Sequence, residues 1–219
     1  ALRYNTTGYK NTANGYYALN KNTTGYNNTA NGTYALNSNT TGYSNTANGY
    51  SALYSNTTGC NNTANGIAAL YYNTAHNNTA NGYYCLYANT TGTNNFAGGF
   101  YTLRSNTTGY SNTGCGRNAL YSNTTGNYNT AVGFEALNTN KTGSYNVAIG
   151  MDSGRPATAT NLTNTICIGY GSLVNASNKV CIGNASITET HLRGNVGIGT
   201  TTPTKAKLEV SGSTNYSLS

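Results

Sequence analysis

Three observations predict an all-β fold, a parallel β-solenoid or β-roll wound from 17-residue coils. First, Asn-Thr-Thr-Gly or a close variant starts at Asn5, Asn22, Asn39, Asn56, Asn73, Asn89, Asn106, Asn123 and Asn140, in steps of 17 with a single step of 16 after Asn73. Second, leucine keeps the same beat at Leu19, Leu36, Leu53, Leu70, Leu86, Leu103, Leu120 and Leu137. Third, glycine does so at Gly15, Gly32, Gly49, Gly66, Gly82, Gly99, Gly116, Gly133 and Gly150. A helical-hairpin repeat needs about 33 residues or more. The shorter period fits one solenoid turn with two short strands and two corners. Two Gly and several Asn and Thr per repeat oppose helix, whereas Thr and Tyr favour strand.

Gly8, Gly15 and their equivalents supply the corners, where a positive φ or a close backbone approach excludes a Cβ. Thr12-Ala13-Asn14 and its successors read as strand. The Asn14 position is filled in turn by Asn31, Asn48, Asn65, Asn81, Gly98, Cys115, Val132 and Ile149. Thr12 likewise gives way to Val147, and similar strands follow at Ile166-Cys167-Ile168, Val180-Cys181-Ile182 and Val196-Gly197-Ile198. Positions 12 and 14 share a face because strand side chains alternate. The drift to Val and Ile predicts that this face lies inside the coil. The Asn14 series and the leucines then form structural core ladders, with the stacked amides hydrogen-bonded about 4.8 Å apart; the alternative leaves these amides in wet corners.

The opposite face holds only small residues from Ala13 onward, as a close backbone across the coil or from a neighbouring chain requires. Tyr16, Tyr50, Tyr83, Phe100 and Phe134 follow the corner glycines, with Ile67 and Met151 at equivalent places. A thin solenoid would expose this stripe, so it is predicted to be a subunit interface.

Composition excludes several functions. Only 7% of the 219 residues are charged, and the net charge is +7. The acids are Glu135, Asp152, Glu189 and Glu209, so the first 134 residues carry none. Acid–base catalysis needs carboxylates, or a histidine with a partner, in one pocket. Scattered acids with His76 and His191 predict no enzyme; a glycan depolymerase would have to combine Glu135 and Asp152 between chains. Cys60, Cys85, Cys115, Cys167 and Cys181 have no metal-ligand spacing and read as small buried fillers, with no metal and no cofactor. Arg3, Lys10, Lys21, Arg104 and Arg117 form no basic stripe for nucleic acid. No apolar run approaches the roughly 18 residues of a membrane span, which predicts no membrane insertion. The Asn-x-Thr sequons at Asn5, Asn22, Asn39 and Asn106 are by-products of the repeat.

Four regions are expected: regular coils over 1–154, a loop over 155–164, irregular coils over 165–200, and a turn with an exit strand over 201–219 leading to a further C-terminal region. The chain opens in mid-repeat, as a piece of a longer array would. Roughly a dozen coils would make a rod of about 55–60 Å.

Asn146-Val147-Ala148-Ile149-Gly150 and the Ile/Val-Cys-Ile-Gly strands resemble the head repeats of bacterial trimeric autotransporter adhesins. Residues 123–137 are similar to repeats of phage-type tail-fibre proteins, as is the segment from Gly194 to Pro203 followed by Lys207-Leu208-Glu209-Val210-Ser211-Gly212. The period here is longer than in the adhesin heads, and Asn stands where they have core Val or Ile. The resemblance implies a left-handed β-roll wound as a homotrimer. It also implies a downstream endosialidase-type intramolecular chaperone that assembles the trimer and cleaves itself off. The function implied is a structural and adhesive fibre segment, a tail-fibre shaft or head. It would act extracellularly on a virion, with a cell-surface carbohydrate as receptor. A bacterial trimeric surface adhesin is the alternative within this class. A monomeric ice-binding solenoid is the alternative outside it: Thr6, Thr23, Thr40 and Thr57 stack, but they sit beside a glycine corner, and the Thr12 series is expected to face inward.

Overall fold

The computed structural model describes residues 1–154 and 161–191, together with the backbone of Val196–Ile198 and Leu208–Val210. Residues 1–184 form one compact unit. It is a parallel β-solenoid whose eleven strands lie side by side in sequence order. These are β1 (Thr12–Asn14), β2 (Thr29–Asn31), β3 (Thr46–Asn48), β4 (Thr63–Asn65), β5 (Thr79–Asn81), β6 (Phe96–Gly98), β7 (Thr113–Cys115), β8 (Thr130–Val132), β9 (Val147–Ile149), β10 (Ile166–Ile168) and β11 (Val180–Ile182). Register stacks like on like, Thr29 on Thr46, Ala30 on Ala47 and Asn31 on Asn48. The 16-residue coil keeps that register between β4 and β5. Residues 185–219 form a second unit, in which β12 (Val196–Ile198) pairs in parallel with β13 (Leu208–Val210). The strand expected in the tail is β13. Most of the predicted 155–164 loop, and the turn before β13, lie outside the described residues.

Each coil carries one strand, not the two expected. The return path runs through turns, because Tyr17, Leu19 and Asn27 take φ of 55°, 48° and 54° and their equivalents follow suit. Such left-handed residues cannot lie in a strand. The turns are nonetheless laddered: Leu19 N–H donates to Ala35 O at 3.0 Å, and Thr23, Thr24 and Gly25 N–H all donate to Thr40 O at 3.0–3.1 Å. The two kinds of corner glycine divide their roles. Gly15 and its successors have φ of 125–139°. Gly109, of the Gly8 series, is instead a close approach, since a Cβ there would lie 2.5 Å from Gly126 O.

The two strand faces are the reverse of those expected. The middle residues (Ala30, Ala47, Ala64, Ala80, Ala97, Ala131 and Ala148) are fully buried against Ala18, Ala35, Ala52 and the leucines Leu19 to Leu120. The Thr12 and Asn14 series point outward. The interior is narrow here: the residue before each leucine that faces the middle strand position is Ala, Cys85 or Thr102, which explains the small-residue column. A compensating pair shows how tight it is: Thr102 stands where the next coil has Ala119, and opposite it β7 shrinks to Gly114. A Cβ on Gly114 would lie 2.6 Å from Thr102 Cγ2. Gly114→Ala is therefore expected to cost about 1–3 kcal/mol by overpacking. The cost should vanish in the Gly114→Ala/Thr102→Ala double variant, which restores the Ala–Ala pair of other coils. Thermal denaturation of the two single variants and the double variant measures this coupling.

The rest of the interior is amide. In one column Asn39 Nδ2 donates to Asn22 Oδ1 at 2.7 Å and Asn56 Nδ2 to Asn39 Oδ1 at 2.9 Å, and each also closes onto a carbonyl of its own coil, as Asn39 does on Gly42 O at 2.9 Å. In a second, Asn45 N–H and Nδ2 both meet Asn28 Oδ1, at 3.0 and 3.1 Å, while Nδ2 also reaches Gly59 O at 2.8 Å. This column ends where Thr165 Oγ1 donates to Asn146 Oδ1 at 2.7 Å. Buried amides are tolerated only when satisfied in this way. The 16-residue coil breaks the first column. There Asn73 Nδ2 turns to Ala75 O, and Asn56 Oδ1 is left buried without a hydrogen-bond partner.

Candidate functional site: the outer face of the sheet

Because the middle residue of each strand points inward, its two neighbours build a regular outer face. One column is the Thr12 series, and the next is the Asn14 series. The Asn14 ladder exists, but outside the core: Asn14, Asn31, Asn48 and Asn65 each donate Nδ2 to the Oδ1 of the next coil, at 3.0, 2.9, 2.8 and 2.7 Å, ending on Asn81. The physical reason for this correction is the width of the coil, which has no room for an amide opposite Ala. The leucine column, by contrast, lies in the core.

The chemistry of this face changes along the stack. On β1–β5 it is Thr and Asn. From β8 onward, Thr130 and the half-buried Val147 apart, it is Val132, Ile149, Ile166, Ile168, Val180 and Ile182, all exposed, the last two at 63% and 62%. Beside it runs the column after the corner glycines. Tyr16, Tyr50, Tyr83, Phe100 and Phe134 are all exposed there. Tyr83 and Phe100 stack at 5.1 Å. Arg117 bridges the next gap, its guanidinium 5.7 Å from the Phe100 ring and 5.6 Å from that of Phe134. Met151 and Tyr170 continue the column. Sheet face and aromatic column thus make one apolar surface over β8–β11.

Two further aromatic columns lie on the turns. Tyr9, Tyr26 and Tyr43 stack nearly parallel at 5.1 and 5.0 Å. The column continues through Cys60 and His76, where Cys60 Sγ lies 3.0 Å from His76 Nδ1. A hydrogen bond to Cys60 pushes the Tyr43 phenol up. Tyr54, Tyr71 and Tyr87 form the other column, at 4.9 and 5.3 Å. It closes on Arg104, whose guanidinium lies 5.6 Å from Tyr87 and 5.8 Å from Tyr121. Burial pushes the Tyr87 phenol up to about 12 and the Cys85 thiol up to about 11, so both stay protonated at neutral pH.

Three of the four acids lie among the described side chains, and the side chain of Glu209 lies outside them. Glu135 Oε1 accepts from Asn118 Nδ2 at 3.4 Å, and Asp152 occupies the equivalent place one coil on. Glu189 pairs with His191 at 3.0 Å on an exposed segment. Among the described residues no three His, Cys, Asp or Glu side chains converge, and no helix is long and apolar enough to cross a membrane. Cys60, Cys85 and Cys167 are buried as expected, Cys181 is partly so, and Cys115 is exposed because it occupies the outward Asn14 position. No family model, curated protein or solved structure matches the chain.

Sequence reasoning missed both interior amide columns. Their signal was present: asparagine never varies at the Asn22 and Asn28 positions through residues 140 and 146, while the Asn14 position drifts to Gly, Cys, Val and Ile. A position that tolerates both Asn and Ile faces a changing exterior.

Proposed function

We propose that the chain is a structural and adhesive fibre segment, a tail-fibre shaft or head that works as a homotrimer outside the cell. The observation carrying this reading is the exposed apolar surface over β8–β11. Contiguous apolar patches of this kind mark association sites on soluble proteins, and closed symmetry covers three copies of one patch without leaving an open edge. Packing sheet faces together would bury Val132, Ile149, Ile168 and Ile182 with Phe134 and Met151. The turn columns, Tyr9–Tyr26–Tyr43 above all, would stay outward and offer stacked rings to a cell-surface carbohydrate. No chemistry is needed: the coils supply reach and the columns supply contact. A trimeric bacterial surface adhesin would use the same arrangement.

Native mass by light scattering tests this directly. A mass near three times 22.9 kDa is expected, and Ile168→Asp should shift the species to monomer by placing a charge in the contact. A clean monomer for the unaltered chain would overturn the trimer.

One observation favours a second reading. The Thr12 and Asn14 columns face outward on β1–β5, so a regular array of hydroxyls and amides is available to ordered water. A monomer with thermal hysteresis would establish an ice-binding solenoid; a trimer without it would remove that reading.

A further inference from the structure

Two cysteines share one interior column. β10 and β11 pair in parallel with Cys167 directly opposite Cys181. Both hold the middle strand position, which in the other coils is Ala or Gly and faces inward. Neighbouring strands lie about 4.8 Å apart, inside the roughly 4.4–6.8 Å Cα window of a disulfide. Identical register makes the two Cβ atoms project the same way at about the strand spacing, so the terminal strand must close in by several tenths of an ångström to reach the roughly 3.5–4.5 Å Cβ separation of a disulfide. Both thiols are free, and the described residues contain no other pair of cysteines on consecutive coils of one column. The Cys167 thiol is pushed up by burial and, next, by the proximity of Cys181.

The place of the pair in the stack suggests what a bond would do. β11 is the terminal strand of the eleven-stranded sheet, so among the described residues it is laddered on one side only. Its coil is short, 14 residues from Cys167 to Cys181, and Leu173, Val180 and Ile182 within it are exposed. Terminal repeats of a solenoid are where fraying starts. Cys181 is partly exposed while Cys167 is fully buried, which gives an entry thiol and a resolving thiol.

We propose that Cys167 and Cys181 form a disulfide that staples the last coil to the one before it once the chain is in an oxidising compartment. The Cys181 thiolate attacks one sulfur of a small-molecule disulfide, such as oxidised glutathione. That S–S bond breaks, one glutathione thiolate leaves, and a mixed disulfide forms on Cys181. Cys167 loses its proton to water and attacks Cys181 Sγ; the protein disulfide forms and the second glutathione leaves. Two electrons pass from the cysteine pair to the glutathione disulfide, which ends as two thiols. Extracellular conditions favour this direction.

The test treats the folded 219-residue protein with oxidised glutathione, alkylates it in denaturant, and maps the peptides. A linked Cys167–Cys181 peptide is expected, with neither Cys167 nor Cys181 recovered in alkylated form. The oxidised form should resist thermal loss of its last coil by about 5 °C or more. Cys167→Ala, which installs the residue found in other coils, should fold and stop at the glutathione adduct on Cys181. Both thiols remaining alkylatable, a stable glutathione adduct on Cys181 in the unaltered protein, or a Cys167 or Cys181 bond between chains would each overturn the proposal; an adduct on the exposed Cys115 is expected in every variant.

Discussion

Asn45→Leu is expected to cost about 3–5 kcal/mol and to open the coils on either side of it. Asn45 is fully buried, and its Oδ1 accepts from Asn62 N–H and Nδ2 at 3.0 and 3.1 Å. Leucine is similar in volume but leaves the buried Asn62 N–H without a partner, at a cost of about 1–3 kcal/mol, and strips one hydrogen bond each from Asn62 Nδ2 and from the Gly59 carbonyl, which keeps only Asn56 Nδ2. Asn48→Val is the matched control. Asn48 is also laddered, but it faces outward, and Val132 already occupies its place three coils beyond β5. Its replacement should cost less than about 1 kcal/mol. Hydrogen exchange reads the difference: protection of the amides from 28 to 62 should collapse for Asn45→Leu and persist for Asn48→Val. Equal effects would mean that the two ladders do the same job.

Gly49→Ala should be at least as damaging, with an expected loss of about 3 kcal/mol or more. Its φ of 137° lies where side chains are strained. A Cβ would also lie 2.6 Å from Gly66 O and 2.8 Å from its carbonyl carbon. Those atoms are backbone of the next coil, fixed by the strand ladder, so neither can move aside. Gly98→Ala is the contrast: its φ is not positive, and the nearest atom to an added Cβ is Phe96 Cε1 at 3.4 Å. Urea denaturation should separate the two variants clearly, and comparable midpoints would show that the corner conformation is not what holds the stack.

The coil length, parallel stacking and leucine column were legible because each repeats in the sequence with the period of the fold. The second strand was not. Thr, Tyr and Asn favour strand or turn according to φ, and the left-handed turn at Leu19 or Tyr17 has no composition of its own. The faces were misread for a physical reason as well. A drift toward Val and Ile usually marks a core, yet here Ala30 and Leu36 already fill the inside, so the drift records the surroundings of the outer sheet face. The apolar surface was half visible. Its aromatic column was read from Tyr83, Phe100 and Phe134, whereas Ile149 and Ile168 beside it were assigned to the interior.

The way each coil touches only the next has a consequence for how the chain finds its structure. Bonds such as Asn48 to Asn65 join residues 17 apart in a chain of 219, a relative separation of about 0.08. That lies in the range of helical bundles, roughly 0.07–0.12, and below that of most β proteins. No strand has to wait for a distant partner: the loop that must close is one coil long. Folding can therefore begin at any pair of coils and spread by zipping in both directions, giving an all-β chain the search problem of a helical one.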